Sequence, residues 1–74
     1  MKLYENIQFL ISYKITAYKL SKESGVPIST IAEVKTKNRE LKGNQIDKLY
    51  TTLKKLELVD SLDSLFYKDL SESE

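Results

Sequence analysis

A chain of 74 residues makes one domain, near the lower size at which a single hydrophobic core suffices. Cysteine and histidine are both absent, which excludes disulfides and thiolate or imidazole metal ligands and leaves helix packing, helped by pairing of copies, to supply stability. The net charge of +1 divides unevenly: residues 14–55 carry ten Lys or Arg against four Asp or Glu, and residues 56–74 carry six acids against Lys68 alone, so the middle suits a polyanion and the end suits solvent unless both are ordinary solvated helix faces.

Leu3, Ile7, Leu10 and Ile11 recur at helical spacing and predict a first amphipathic helix over residues 2–13, with Tyr4 and Phe9 flanking its stripe. Thr16 suits the N-cap of a second helix, Ala17 to Ser24, in which Leu20 is the clear core residue. Gly25 follows where a helix end takes a left-handed residue. Pro27 fits the start of a third helix, because proline lacks only a donor that a first turn leaves unpaired. Ile31 and Val34 mark that helix's inner side, and residues 35–42, KTKNRELK, read as a polar, basic loop.

Gly43 and Asn44 open a fourth helix, with Asn44 as its cap, Asp47 near its positive end and a stripe of Ile46, Leu49, Tyr50, Leu53 and Leu56. Asp60 is the expected cap of a short fifth helix with Leu62, Leu65 and Phe66 inside. Residues 68–74, ending in SESE, have no periodicity and predict a disordered acidic tail. No strand-like alternation occurs, so the expected fold is all-α, a bundle of five short helices over residues 1–67. No apolar run approaches the ~20 residues that span a bilayer, and no basic-plus-apolar leader precedes a small-residue cleavage site. The expected location is the cytoplasm, without membrane association.

Residues 15–34, ITAYKLSKESGVPISTIAEV, resemble the helix-turn-helix of the phage repressor and Cro class of transcriptional regulators. The matching marks are Leu20 in the first helix, Gly25-Val26 in the turn, and Ser29-Thr30-Ile31 in the second. Residues 56–66, LELVDSLDSLF, are similar to the fourth-helix end and short fifth helix that close this domain, so the likeness covers roughly residues 3–66. Three places depart from the family's habit. Ala17 stands where a phosphate-holding glutamine is common, Lys37 where the next loop usually carries glycine, and Glu40-Leu41 where a proline often follows. The resemblance implies a lambda-repressor-like domain with its helix-turn-helix at about 17–35. It further implies a phage or mobile-element repressor that binds double-stranded operator DNA as a homodimer, with no cofactor and no metal.

At about 100° per residue, Ile31 and Val34 set the buried direction of the third helix, and Ser29, Ala32, Glu33 and Thr36 fall opposite, with Ile28 on one edge. The resemblance places base reading at Ile28, Ser29 and Glu33, with Ala32 and Thr36 on the same face. Ile28 suits a thymine methyl, Ser29 a donor or acceptor, and Glu33 a cytosine amino group. Each has a structural alternative: Ile28 packing over the turn, Ser29 capping the first turn, and Glu33 pairing with Lys37. Phosphate contacts are expected from Thr16 and Lys19 on one side of this helix and from Lys37, Asn38, Arg39 and Lys42 on the other.

Leu58, Val59, Leu62, Phe66 and Tyr67 are the expected dimer surface, against the alternative that they only close the core. A protein-binding module of the same fold, acting as an inhibitor or co-regulator of a protein partner, is the second functional expectation. Glu33, the weak net charge and the missing glutamine favour it. With no His or Cys and no glycine-rich phosphate loop, no enzyme is expected.

Overall fold

Leucine, isoleucine and valine at helical spacing organise the described residues into five α-helices: α1 (Leu3–Tyr13), α2 (Ala17–Ser24), α3 (Ile28–Lys37), α4 (Gly43–Lys55) and α5 (Leu62–Tyr67). A 3-10 turn, Leu70–Ser73, follows. This computed structural model describes residues 2–37 and 40–73, the side chains of Lys37, Glu72 and Ser73 excepted, and no strand occurs among the described residues. α1 packs against α3, α5 and the 3-10 turn, while α2 packs against α3 and α4.

The core takes residues from every helix: Leu3, Ile7, Leu10 and Ile11 of α1, Leu20 of α2, Ile31 and Val34 of α3, Leu49 and Leu53 of α4, and Leu65 of α5. Ile15, Val26, Leu41 and Val59 complete it from the connections between helices, so each turn is pinned by an apolar side chain of its own. No helix among the described residues is long and apolar enough to cross a membrane.

The helix ends show how the chain turns so tightly. Thr16 Oγ1 accepts from the Lys19 N–H at 3.1 Å, and Gly25, at φ +81°, stops α2 in the left-handed conformation that a residue without Cβ adopts cheaply. α3 begins just after Pro27, whose carbonyl accepts from the N–H groups of Thr30 and Ile31 at 3.0 and 3.2 Å. α4 ends in a Schellman arrangement: the Glu57 N–H reaches the Lys54 carbonyl at 3.0 Å and the Leu58 N–H the Leu53 carbonyl at 2.9 Å. Glu57 itself sits at φ 62°, where glycine is usual.

Several expectations are corrected. α3 continues to Lys37, through the first three residues of the segment expected as loop, and the Thr36 hydroxyl donates to the Ala32 carbonyl at 2.9 Å. The Lys35 and Thr36 side chains there are exposed and leave the helical backbone intact. The cap of α4 is Lys42, not Asn44: its N–H donates to Gln45 Oε1 at 3.1 Å, the glutamine supplying an acceptor that lysine lacks. The cap of α5 is Ser61, not Asp60, with Ser61 Oγ accepting from the Ser64 N–H at 3.2 Å. Leu62 is 44% exposed and Phe66 half-buried, leaving Leu65 as the inner residue of α5.

The tail expectation is also corrected over residues 68–73. Leu70 packs against the core, and the buried Asn6 side chain bonds the backbone around it. Lys2 adds an ion pair to Asp69 at 3.7 Å. Charge and lack of periodicity gave no sign of this contact, because its polar partner lies some sixty residues away in α1.

Candidate nucleic-acid interface

The corner between α2 and α3 is held by short hydrogen bonds. Ser21 Oγ donates to the Val26 carbonyl at 2.7 Å, and the Val26 N–H donates to Ser24 Oγ at 3.2 Å. Val26 is itself buried, so the two serines tie the turn to the core and fix the angle at which α3 leaves it. α3 buries Thr30, Ile31 and Val34, and Gln8 Nε2 of α1 donates to the Val34 carbonyl at 2.9 Å. That bond ties the C-terminal half of α3 to α1.

The opposite side of α3 is open. Ser29, Ala32 and Thr36 are exposed, and Ile28 is 47% exposed. Glu33 is half-buried and stands at the side of this face rather than on its crest. Its expected pairing with Lys37 falls on a side chain outside the described ones, and Asn38 and Arg39 also lie outside the described residues.

Lys35 joins the open face and was missed by reading the sequence, because residues 35–42 read as loop. It lies seven residues after Ile28, two helical turns along the same side, and is exposed. Continuing the 100° rotation two turns past Ile28, one residue beyond Val34, is the signal that would have found it.

Around α3 lie the candidate backbone contacts. Thr16 and Lys19 are exposed at the N-terminal end of α2, and Lys42 is exposed at the N-terminal end of α4. Both helix ends carry partial positive charge, which adds to the lysines. Thr16's hydroxyl already accepts from the Lys19 N–H but keeps its own proton to donate. The segment leading to Lys42 is fixed by the buried Leu41, whose N–H donates to the Tyr4 hydroxyl at 3.0 Å. Tyr18, beside Thr16 and Lys19, is exposed as well and was not foreseen.

The expected dimer residues divide. Val59 is only 5% exposed and belongs to the core, so its side chain is not available to a partner. Leu58 and Phe66 are half-buried against the core, while Leu62 and Tyr67 are exposed. The reason is that Val59 follows the left-handed turn at Glu57 and points back inward before α5 begins.

The arrangement offers a rigid, outward helix face flanked by cations. Among the described residues no group of three or more carboxylates is placed to hold a metal ion. In comparisons with known proteins no family model matches this chain, and no curated protein or solved structure matches it either.

Proposed function

We propose that this chain is a sequence-specific DNA-binding transcriptional regulator, a small repressor of the phage or mobile-element kind. Its fold is a lambda-repressor-like helix-turn-helix domain, it works as a homodimer, and α3 enters the major groove. The observation that carries this reading is the division of α3: Thr30, Ile31 and Val34 are buried, while Ile28, Ser29, Ala32, Lys35 and Thr36 remain open on a helix bonded at both ends. Small side chains at 29, 32 and 36 let the helix axis approach base edges in a groove about 12 Å wide. The resemblance of residues 15–34 to repressor helix-turn-helix segments supports the same reading.

In this scheme Ile28 meets a thymine methyl, Ser29 donates or accepts at a base edge, and Glu33 accepts from a cytosine amino group. Thr16, Lys19, Lys37, Asn38, Arg39 and Lys42 hold phosphates and set the register. One helix reads too few bases for operator-level discrimination, so two copies read two half-sites about one helical turn apart. Selection of bound sites from random DNA tests this. The expected result is an enriched sequence with two-fold symmetry; recovery of no preferred sequence overturns it.

A second reading, a protein-binding module, is favoured by the composition of the open face of α3: one apolar edge, one lysine and a half-buried acid form a mixed surface that suits a polypeptide. Absence of any selected DNA together with a partner lost on Ile28→Asp is its expected signature.

A further inference from the structure

Asn6 holds residues 68–70 much as one strand holds its neighbour. Its Nδ2 donates to the Lys68 carbonyl at 2.7 Å and its Oδ1 accepts the Leu70 N–H at 3.1 Å. One side-chain amide thus pairs with the two backbone groups that flank Asp69, and Lys68 is extended, at φ −75° and ψ 141°. Those bonds grip a backbone and ask nothing of its side chains. Selection comes from Lys2 and the core: Lys2 Nζ lies 3.7 Å from Asp69 Oδ2, and Leu70 packs half-buried against the core. The seat therefore takes an extended segment in which an acid is followed at once by an apolar residue. Main-chain bonds for affinity, with neighbouring side-chain sites for specificity, are how folded domains hold extended peptides.

The chain's own segment fills that seat only in part. Beside it opens a cleft of about 390 Å³, lined by Phe9, Tyr13, Lys14 and Ser71. The Phe9 and Tyr13 rings stand 5.3 Å apart and tilted by 39°, and Tyr13 is 77% exposed. That volume falls within the range of about 300–1,000 Å³ usual for ligand pockets. Ser71, which follows Leu70, lines the cleft, and its hydroxyl donates to Asp69 Oδ1 at 2.6 Å. A serine is too small to cover two rings.

We propose that this seat docks an extended segment of a protein partner in which an acid, a leucine-like residue and an aromatic residue follow one another. Residues 68–71 are its built-in competitor. The partner's acid takes Lys2, its apolar residue takes the place of Leu70, and its backbone takes the Asn6 amide. Its ring enters the Phe9–Tyr13 cleft, and the area buried there, which Ser71 does not supply, drives the exchange. Asn6 and Gln8 lie about 200° apart around α1. Gln8 bonds α3, so the seat is on another side of α1 and docking leaves the open face of α3 uncovered. The proposal stands whether or not that face reads DNA.

The test titrates the full chain with the blocked peptide Lys-Asp-Leu-Phe-Glu, followed by amide chemical shifts. Saturable shifts are expected at Asn6, Phe9, Tyr13 and Leu70. Leu70→Ala is expected to bind the peptide at least tenfold more tightly, because its seat stands vacant more of the time. Ser71→Phe is expected to bind at least tenfold more weakly, because the chain then supplies its own ring. Absence of saturable shifts in both wild type and Leu70→Ala overturns the proposal, as does an unchanged affinity in Ser71→Phe. Equal binding of a scrambled peptide of the same composition also overturns it. Shifts centred on Ile28, Ser29 and Ala32 would assign the peptide to α3 and overturn it equally. Should Leu70→Ala fail to fold, Asp69→Ala supplies the same comparison, with at least twofold tighter binding expected.

Discussion

The side-chain oxygen of Asn6 accepts the backbone N–H of Leu70 at 3.1 Å, while its Nδ2 donates to the carbonyls of Leu65 and Lys68 at 2.7 Å each. A buried amide has two donors and a carbonyl acceptor, and this one uses all of them on backbone from one segment. Lys2 reinforces the same join, its N–H donating to the Phe66 carbonyl and its ammonium lying 3.7 Å from Asp69. One side chain of α1 therefore decides where α5 ends and where the chain goes next.

Asn6→Ala is expected to cost about 2–4 kcal/mol, since it strands one N–H and two carbonyls and leaves a small void. That is a large share of the roughly 4–11 kcal/mol available to a domain of this length. Asn6→Asp keeps the acceptor for Leu70 but turns an oxygen toward two carbonyls, and is expected to be at least as damaging. Urea unfolding measures both, and amide exchange at Leu70 should rise with them. A midpoint unchanged in Asn6→Ala would show that the clasp contributes nothing.

Glu57 and Gly25 make a matched pair of left-handed residues, at φ 62° and 81°. Glu57→Gly is expected to raise stability by about 0.5–1 kcal/mol, relief of the left-handed cost outweighing the extra freedom gained by the unfolded chain. Gly25→Ala is expected to lower it by about 1 kcal/mol. A Cβ at Gly25 would meet nothing within 4 Å, so that loss is conformational rather than steric. Thermal unfolding of the two variants should therefore shift in opposite directions, and shifts of the same sign would refute the account.

These cases also show what a reader of the residues alone can and cannot see. Leu3, Ile7, Leu10 and Ile11 declare α1 because apolar side chains at that spacing have one physical use. Asn6, within the same stripe, looks like a polar gap, and its value depends on carbonyls some sixty residues away. Caps are legible by residue type but not by position: Asn44 and Asp60 have suitable oxygens, yet Gln45 and Ser61 supply the bonds. The outward face of α3 follows from rotation about Ile31 and Val34, whereas Lys35 was hidden by the polarity of its neighbours. Polarity marks exposure, and an exposed helical turn is as polar as a loop.

DNA affinity is expected to fall steeply with salt. With roughly five phosphates contacted, log K against log salt should have a slope near −4 to −5. Lys35→Ala tests where that lysine reaches. A phosphate contact makes the slope shallower by about one for all sequences, and a base contact instead relaxes preference at one position of each half-site. A flat salt dependence on the best selected site would count against DNA as the partner.

Glu33 is the most informative position on α3, because it is a half-buried acid at the side of the open face. An acid in the major groove can only accept, and cytosine, or less favourably adenine, presents an amino donor there. Glu33→Gln preserves the shape and adds a donor, so preference is expected to move toward adenine at one position of each half-site. The lost negative charge near the phosphate strands should raise non-specific affinity slightly as well. Were Glu33 engaged only by a neighbouring cation of its own helix, overall affinity would rise with site preference intact. Were the face a protein docking site, Glu33→Lys would abolish the partner and change no DNA preference. Parallel site selection with wild type and Glu33→Gln separates these cases, and identical preferences at every position would remove Glu33 from the reading residues.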